Sequence, residues 1–64
     1  MEKTINILIE DFGRETFIKG VVIFENSKIF DLKNVTITRP NGSVEHKDKW
    51  SVPKSYVSEA NFEE

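Results

Sequence analysis

The chain has 64 residues, a formal net charge of −2 at pH 7, 38% hydrophobic residues and no cysteine. A domain of this length buries only about 60% of the surface that its unfolded chain exposes, so it needs a well-packed core or association with another chain. The lack of cysteine and the single histidine exclude disulfides and a Cys/His zinc site. No export signal or membrane-spanning stretch is recognisable, so we expect a cytoplasmic protein without a cofactor or a membrane partner.

The first half of the sequence predicts two strands joined by a tight turn. Isoleucine occupies every second position of residues 5–9, which is the period of a strand with one buried face. Residues 11–14 interrupt this alternation and are typical of a turn. The second strand, predicted over residues 15–24, contains Gly20. Because a glycine inside a strand marks a bend or the close approach of another backbone, we expect this strand to bend there.

The third strand, predicted over residues 29–38, changes phase along its length. Phe30 and Leu32 share one parity, whereas Val35 and Ile37 share the other. Both sets can face the same core if the strand contains one extra residue. We therefore expect a β-bulge near Lys33 and Asn34, which would also increase the local twist of the sheet.

The last third of the sequence predicts two more strands around a proline. Residues 39–42, Arg-Pro-Asn-Gly, suit a type I turn because proline and glycine occupy its second and fourth positions. A mostly polar fourth strand follows over about residues 44–52. Proline cannot donate to a strand ladder. We therefore predict a short 3-10 turn at Pro53–Ser55 and a fifth strand that begins at Tyr56 and fades after residue 60 or 62.

These elements together predict an all-β fold, a small and strongly bent five-stranded barrel that is closed or nearly closed. The bend in the second strand, the bulge in the third and the short 3-10 turn before the last strand are the features that favour a barrel over a flat sheet. We expect one domain over residues 1–62. Residues 63–64 are expected to form a frayed acidic end.

The stretch from Trp50 to Val57 resembles the closing motif of Src-homology-three domains. In that family a hydrophobic residue and a proline are followed by two polar residues, a tyrosine and a valine. The resemblance covers eight residues of this chain, and the family's N-terminal Ala-Leu-Tyr-Asp-Tyr segment has no counterpart in it. The family's proline and tyrosine line a groove for proline-rich peptides, which implies that role for Pro53 and Tyr56.

A second resemblance, over residues 5–57, is to Sm-like RNA-binding proteins, whose order of strands, turns and bent second strand is similar. In that family an Asp-x-x-Met-Asn segment contacts RNA bases. The matching segment here is 26–30, which has asparagine and phenylalanine at the two polar anchor positions. The family's Arg-Gly motif aligns with Pro53 and Lys54. Both resemblances imply the same small-barrel architecture.

The candidate binding surface is the neighbourhood of the closing turn, where aromatic residues meet the basic part of the chain. Residues 39–54 carry a net charge of +2, whereas residues 55–64 carry −3. Aromatic rings interleaved with cations can stack nucleic-acid bases or anchor a protein interface; alternatively, they cap the core and lie against the proline. These alternatives stay open for the candidate residues, which are Trp50, Pro53, Lys54, Tyr56, Lys47, Lys49 and Arg39.

The sequence offers no set of groups that would carry out a reaction. His46 lies in a polar run without a partner nucleophile, and a general base must be within hydrogen-bond reach of its target. The carboxylates of Glu10, Asp11 and Glu15 are expected to be exposed turn residues, because no calcium-loop pattern surrounds them. We therefore do not expect an enzyme, and no metal is expected.

The function that these observations favour is a non-catalytic protein-interaction module, in the role of a regulatory or inhibitor protein. The alternative is an Sm-like RNA-binding protein that forms a ring. Phe12, Phe17 and Phe62 are difficult to place inside so small a core. Either they cover one end of the barrel, or some of them form a self-association patch. A homo-oligomer is therefore a second kind of partner that the sequence allows.

Overall fold

The computed structural model describes residues 2–63 and consists of one antiparallel sheet with a single 3-10 turn. The elements are β1 Lys3–Asp11, β2 Arg14–Glu25, β3 Ile29–Thr38, β4 Val44–Pro53, the 3-10 turn Lys54–Tyr56 and β5 Glu59–Phe62. The strand order across the sheet is β4-β3-β2-β1-β5. The prediction of an all-β chain with five strands and a 3-10 turn before the last one is confirmed.

The sheet curls because its two edge strands are joined by a short connection. A flat five-stranded sheet would hold β4 and β5 roughly 19 Å apart. The connection over residues 54–58 spans roughly 16 Å when three of its residues form a 3-10 turn. Among the described residues no ladder joins β4 to β5, so the sheet is not closed by hydrogen bonds and the predicted barrel is not confirmed.

The fifth strand begins later than the sequence predicted. We expected it to start at Tyr56, but Tyr56 is the last residue of the 3-10 turn and β5 starts at Glu59. The backbone N–H of Val57 donates to the carbonyl oxygen of Lys54 at 3.1 Å, which closes the turn. The N–H of Ser58 then donates to Leu8 O at 2.8 Å and brings the chain onto β1.

The two hairpins with the clearest sequence signals have the turns predicted for them. Asp11 pairs with Arg14, and the two residues between them both have positive φ, 51° at Phe12 and 77° at Gly13. This combination is a type I′ turn, whose twist matches that of the flanking strands. In the second hairpin the N–H of Gly42 donates to Arg39 O at 2.9 Å, as the predicted turn requires.

The bulge in β3 lies where the sequence placed it. In the β2–β3 ladder Lys19 pairs with Thr36 and Val21 pairs with Lys33, so β3 contains one residue more than β2 over this stretch. Asn34 takes up the extra length with a φ of 52°, a left-handed conformation that asparagine adopts more readily than most residues. The bulge lets residues on both sides of it face the core.

Gly20 allows the bulge to pack closely against β2. A Cβ at Gly20 would lie 3.1 Å from Val35 Cγ2, 3.2 Å from Leu32 Cβ and 3.3 Å from Lys33 O. Of the two features that a glycine inside a strand can mark, these distances show the close approach of a neighbouring backbone. The bend expected at this position stays a prediction. Because two of these three neighbours are backbone or Cβ atoms, they cannot rotate away as the end of a long side chain could.

The core is small and is formed by the concave side of the curled sheet. Its buried members come from the first four strands and are all apolar, and β5 contributes none. They are Ile5, Ile7, Ile18, Phe30, Leu32, Val35, Ile37 and Val52. Eight large hydrophobic side chains stay substantially exposed, and they include all three phenylalanines that were difficult to place: Phe12, Phe17, Ile23, Phe24, Val44, Trp50, Tyr56 and Phe62.

Polar contacts, and not burial, hold β5 to the sheet. Phe62 pairs with Ile5, and the N–H of Glu63 donates to Thr4 O at 2.8 Å. The Glu63 carboxylate accepts a hydrogen bond from Asn6 Nδ2 at 2.7 Å and lies 3.1 Å from Lys19 Nζ. Glu63 was assigned to the frayed end, and these contacts join it to β1 and β2. Glu64 lies outside the described residues.

We expect Gly20→Ala to destabilise the fold by about 1–3 kcal/mol, the usual cost of overpacking a tight core. This cost exceeds the roughly 0.4–1 kcal/mol that replacing glycine gains by restricting the unfolded chain. Urea unfolding at pH 7 measures the difference. In a Val35→Ala background, which removes the nearest contact atom, Gly20→Ala should cost less. An equal cost in both backgrounds would contradict the close-approach explanation.

The second prediction concerns pH. The hydrogen bond from Asn6 and the contact with Lys19 lower the pKa of Glu63. A carboxylate with a lowered folded-state pKa stabilises the fold above its unfolded pKa of about 4.3, and this contribution is lost as the pH falls through the folded-state value. We expect wild type to lose more stability than Glu63→Gln between neutral and strongly acidic pH, measured by urea midpoints. Parallel losses in the two proteins would show that this carboxylate is not involved.

Candidate binding cleft

Trp50 marks the open side of the core. It pairs with Leu32 in the β3–β4 ladder, and it precedes the buried Val52 by two residues, so it continues the apolar row of β4. Its side chain is nevertheless 37% exposed, whereas Leu32 and Val52 are almost completely buried. The indole therefore borders the core and does not belong to its interior.

The 3-10 turn places a second aromatic ring opposite the tryptophan. Pro53 ends β4 with a φ of −66° and is followed at once by the turn, whose last residue is Tyr56. The backbone N–H of Lys54 donates to Lys28 O at 2.8 Å, which fixes the start of the turn against the β2–β3 loop. Tyr56 is 65% exposed and makes no contribution to the buried core.

Between these rings lies an open cavity, which we call the Trp50–Tyr56 cleft. Its volume is about 320 Å³ and most of its wall is apolar. The first four strands and the 3-10 turn all contribute to the lining, and its most buried members are Ile18, Ile37 and Val52. The lining residues are Ile9, Thr16, Ile18, Ile37, Arg39, Trp50, Ser51, Val52, Pro53 and Tyr56.

The rim of the cleft carries charges that largely compensate one another. Arg39 Nε donates to Glu45 Oε2 at 2.6 Å. This hydrogen bond is the main reason why the pKa of Glu45 is lowered and that of Arg39 is raised. Lys47 Nζ lies 3.9 Å from the same carboxylate and 5.6 Å from the centre of the Trp50 ring, within the range of a cation–π contact.

A second cavity adjoins the cleft and has a more polar lining. It shares Ile9 and Tyr56 with the cleft, and two acidic residues, Glu10 and Asp11, are part of its wall. We call it the acidic cavity; its volume is about 590 Å³. A ligand that crosses Tyr56 would therefore meet an apolar surface on one side and negative charge on the other.

The structure brings together some of the candidate residues and separates others. Arg39, Trp50, Pro53 and Tyr56 line one cleft, and Lys47 lies over the indole. Lys49 instead borders a different and smaller cavity beside Ile23 and Asp31.

Lys54 faces away from the cleft. Its Nζ lies 2.5 Å from Glu25 Oε2 and 4.7 Å from the centre of the Phe30 ring. It therefore ties the 3-10 turn to the end of β2 and to the core. We expected Lys54 near the cleft because it is close to Pro53 and Tyr56 in sequence. However, the first and third residues of a 3-10 turn point to different sides, so Lys54 and Tyr56 diverge.

Several residues of this region were not among the candidates. Ile18, Ile37 and Val52 reach the cleft as members of the core, and Ser51 lies between two other lining residues. Ile9 and Thr16 line the cleft from the first hairpin, where they pair directly across the ladder. Glu45 holds Arg39. The opposite charges of Arg39 and Glu45, on the two sides of the predicted turn, could have indicated this ion pair from the sequence. The positions of Ile9 and Thr16 could not be predicted in this way, because the approach of the first hairpin to the closing turn depends on how the sheet curls.

Across residues 2–63 no three histidine, aspartate or glutamate side chains converge in a way that could hold a metal ion. In the same part of the chain no helix has the length and apolar character needed to cross a membrane. The chain matches no protein-family model, and no curated protein or solved structure has significant similarity to it.

Proposed function

We propose that this chain is a non-catalytic binding module of the cytoplasm whose Trp50–Tyr56 cleft takes a short extended segment of a partner protein. The observation that carries the proposal is the shared cleft of Trp50, Pro53 and Tyr56. Both rings stay exposed next to a core that leaves them out. Tryptophan and tyrosine are the residues that most often dominate the energy of protein interfaces, and a regulatory or inhibitor role follows if the partner is a larger assembly.

The chemistry of the cleft suggests the kind of segment. A flat aromatic surface beside a proline suits an apolar or proline side chain, as in grooves that bind polyproline II helices. The neighbouring acidic cavity suits a basic side chain one or two positions away, because Glu10 and Asp11 are both part of its wall. We therefore propose a proline-rich segment that contains a single arginine or lysine.

The architecture adds support of a coarser kind. The five antiparallel strands and the 3-10 turn before the last one are compatible with the small-barrel architecture that the Src-homology-three and Sm-like resemblances implied. That the chain belongs to one of these two groups of proteins is part of what we propose. The Src-homology-three resemblance concerns the residues that line the cleft, and so it fits the protein-binding function better.

The RNA-binding alternative has less support from the residues that would carry it. Asn26 lies at the first anchor position. Its side-chain oxygen accepts hydrogen bonds from the backbone N–H groups of Lys28 and Ile29 at 2.7 and 2.9 Å, so it is already engaged within the chain. Phe30, at the second, is a buried core residue. Five of the nine basic side chains contact carboxylates: Lys19, Lys33, Arg39, Lys47 and Lys54. Phosphate binding needs cations that are free to replace counterions.

The test uses Trp50, the chain's single tryptophan, as an intrinsic fluorescent probe of the cleft. We expect a short proline-rich peptide with one arginine to change the Trp50 emission and to bind saturably. A matched peptide with glutamate in place of the arginine should bind about tenfold or more weakly, because it would place a carboxylate beside Glu10 and Asp11.

Tyr56→Ala should weaken binding of the arginine peptide by about 10- to 30-fold, the loss expected for a central aromatic contact. Phe24→Ala is the control, since it removes another exposed ring that lies outside the cleft. Equal binding by both variants would contradict the proposal that the peptide binds in the Trp50–Tyr56 cleft. Saturable, salt-sensitive binding of a single-stranded oligonucleotide in place of both peptides would favour the Sm-like alternative.

A further inference from the structure

Phe12 occupies a position for which phenylalanine is poorly suited in a monomer. It is 98% exposed, the most exposed of the large hydrophobic residues. It also has a φ of 51° at the first central position of a type I′ turn, where asparagine, aspartate or glycine is preferred. Both the strain and the exposure are unfavourable in the isolated chain, and strained residues at exposed turns commonly serve binding.

Arg14 lies two residues beyond Phe12 and is exposed at the same turn. None of the ion pairs found among residues 2–63 involves it, in contrast to most of the basic side chains. We call residues 12–14 the hairpin tip. The tip therefore presents an aromatic residue and a basic residue two positions apart, which is the chemistry that the cleft and the acidic cavity are suited to receive.

The hairpin tip and the Trp50–Tyr56 cleft lie at the same end of the molecule. Ile9 and Thr16 pair across the β1–β2 ladder and line the cleft, and the tip continues the same hairpin beyond them. When two copies are related by a twofold axis at this end, the hairpin tip of each copy can bind in the Trp50–Tyr56 cleft of the other. Such an interface is closed and self-complementary.

The dimensions of the cleft also fit. A closed apolar cavity of about 150 Å³ is large enough to hold benzene. The cleft has about 320 Å³, which leaves room for a phenyl ring and part of its backbone. The exposed area of the chain also exceeds what its mass predicts. The chain exposes 4722 Å² of surface, whereas a compact monomer of its mass would expose about 4,200 Å².

We propose that the chain forms a twofold dimer in which Phe12 of each copy fills the Trp50–Tyr56 cleft of the other. Arg14 of each copy then lies against the acidic cavity, beside Glu10 and Asp11 of the other copy. This inference rests on the cleft of the proposed function, and it adds that the hairpin tip imitates the partner segment. The dimer is a self-blocked state, and a partner segment must displace the tip to bind.

The interface is small, so dimerisation should be weak and should depend on concentration. We expect light scattering with size-exclusion chromatography to give a mass that rises towards twice 7.4 kDa as wild type is concentrated from micromolar to near-millimolar levels. Phe12→Asn should stay monomeric, with dimerisation weakened about 30-fold or more. The same variant should have a higher melting temperature in dilute solution, because Asn-Gly is the preferred type I′ pair.

A rise in melting temperature together with loss of the dimer separates a binding role of Phe12 from simple damage to the fold. Phe24→Asn, which removes a half-exposed ring near the opposite end of β2, is the control and should dimerise like wild type. Tyr56→Ala should be monomeric alone, yet a mixture of Tyr56→Ala with Phe12→Asn should recover part of the dimer through one intact contact.

Wild type that stays monomeric at the highest concentration would overturn the proposal, as would a Phe12→Asn protein that dimerises like wild type. The two proposals fail separately. Binding of the arginine peptide to a protein that never dimerises would retain the proposed function alone. Dimerisation that depends on Phe12 and Tyr56, without any peptide binding, would retain the dimer alone. If both hold, the peptide should dissociate the dimer.

Discussion

The contact between Gly20 and the bulge at Asn34 is the constraint on which the rest of the fold depends. At this point Leu32 and Val35 both approach β2 within van der Waals distance of where a Cβ would lie. Since the bulge changes the phase of β3, apolar residues on both sides of it reach one core. The same bulge increases the twist of the sheet. Without it, half of β3 would turn its apolar side chains to solvent.

The curl that follows brings the closing turn over the first hairpin. The connection between β4 and β5 is too short for a flat sheet, so β5 must pair with β1 on the other edge of a curled one. The core that results has room for eight buried side chains, and the larger aromatic residues stay outside it. The cleft is thus a consequence of the size of the core: Trp50 and Tyr56 both line it and remain outside the set of buried side chains.

Charge compensation shapes what the surface can bind. The pairs Arg39–Glu45, Lys54–Glu25 and Lys33–Glu2 link neighbouring strands or the ends of the chain to the sheet. Exposed pairs of this kind contribute little stability individually. They do, however, leave the basic third of the sequence with less free positive charge than its composition indicates. A neutral aromatic cleft beside the acidic cavity is better suited to a protein segment than to a polyanion.

The sequence by itself determined the class of the fold, the five strands, the two hairpin turns and the bulge, because each is signalled by residues near one another in the chain. Alternation, proline and glycine carry that information locally. Tertiary structure determined where the sheet curls and that no ladder joins its two edge strands among the described residues. It also determined that β5 begins at Glu59. It also decided that Lys54 turns to Glu25 while Ile9 and Thr16 join the cleft. These outcomes depend on contacts between segments far apart in sequence, where pattern and propensity carry no information about distance.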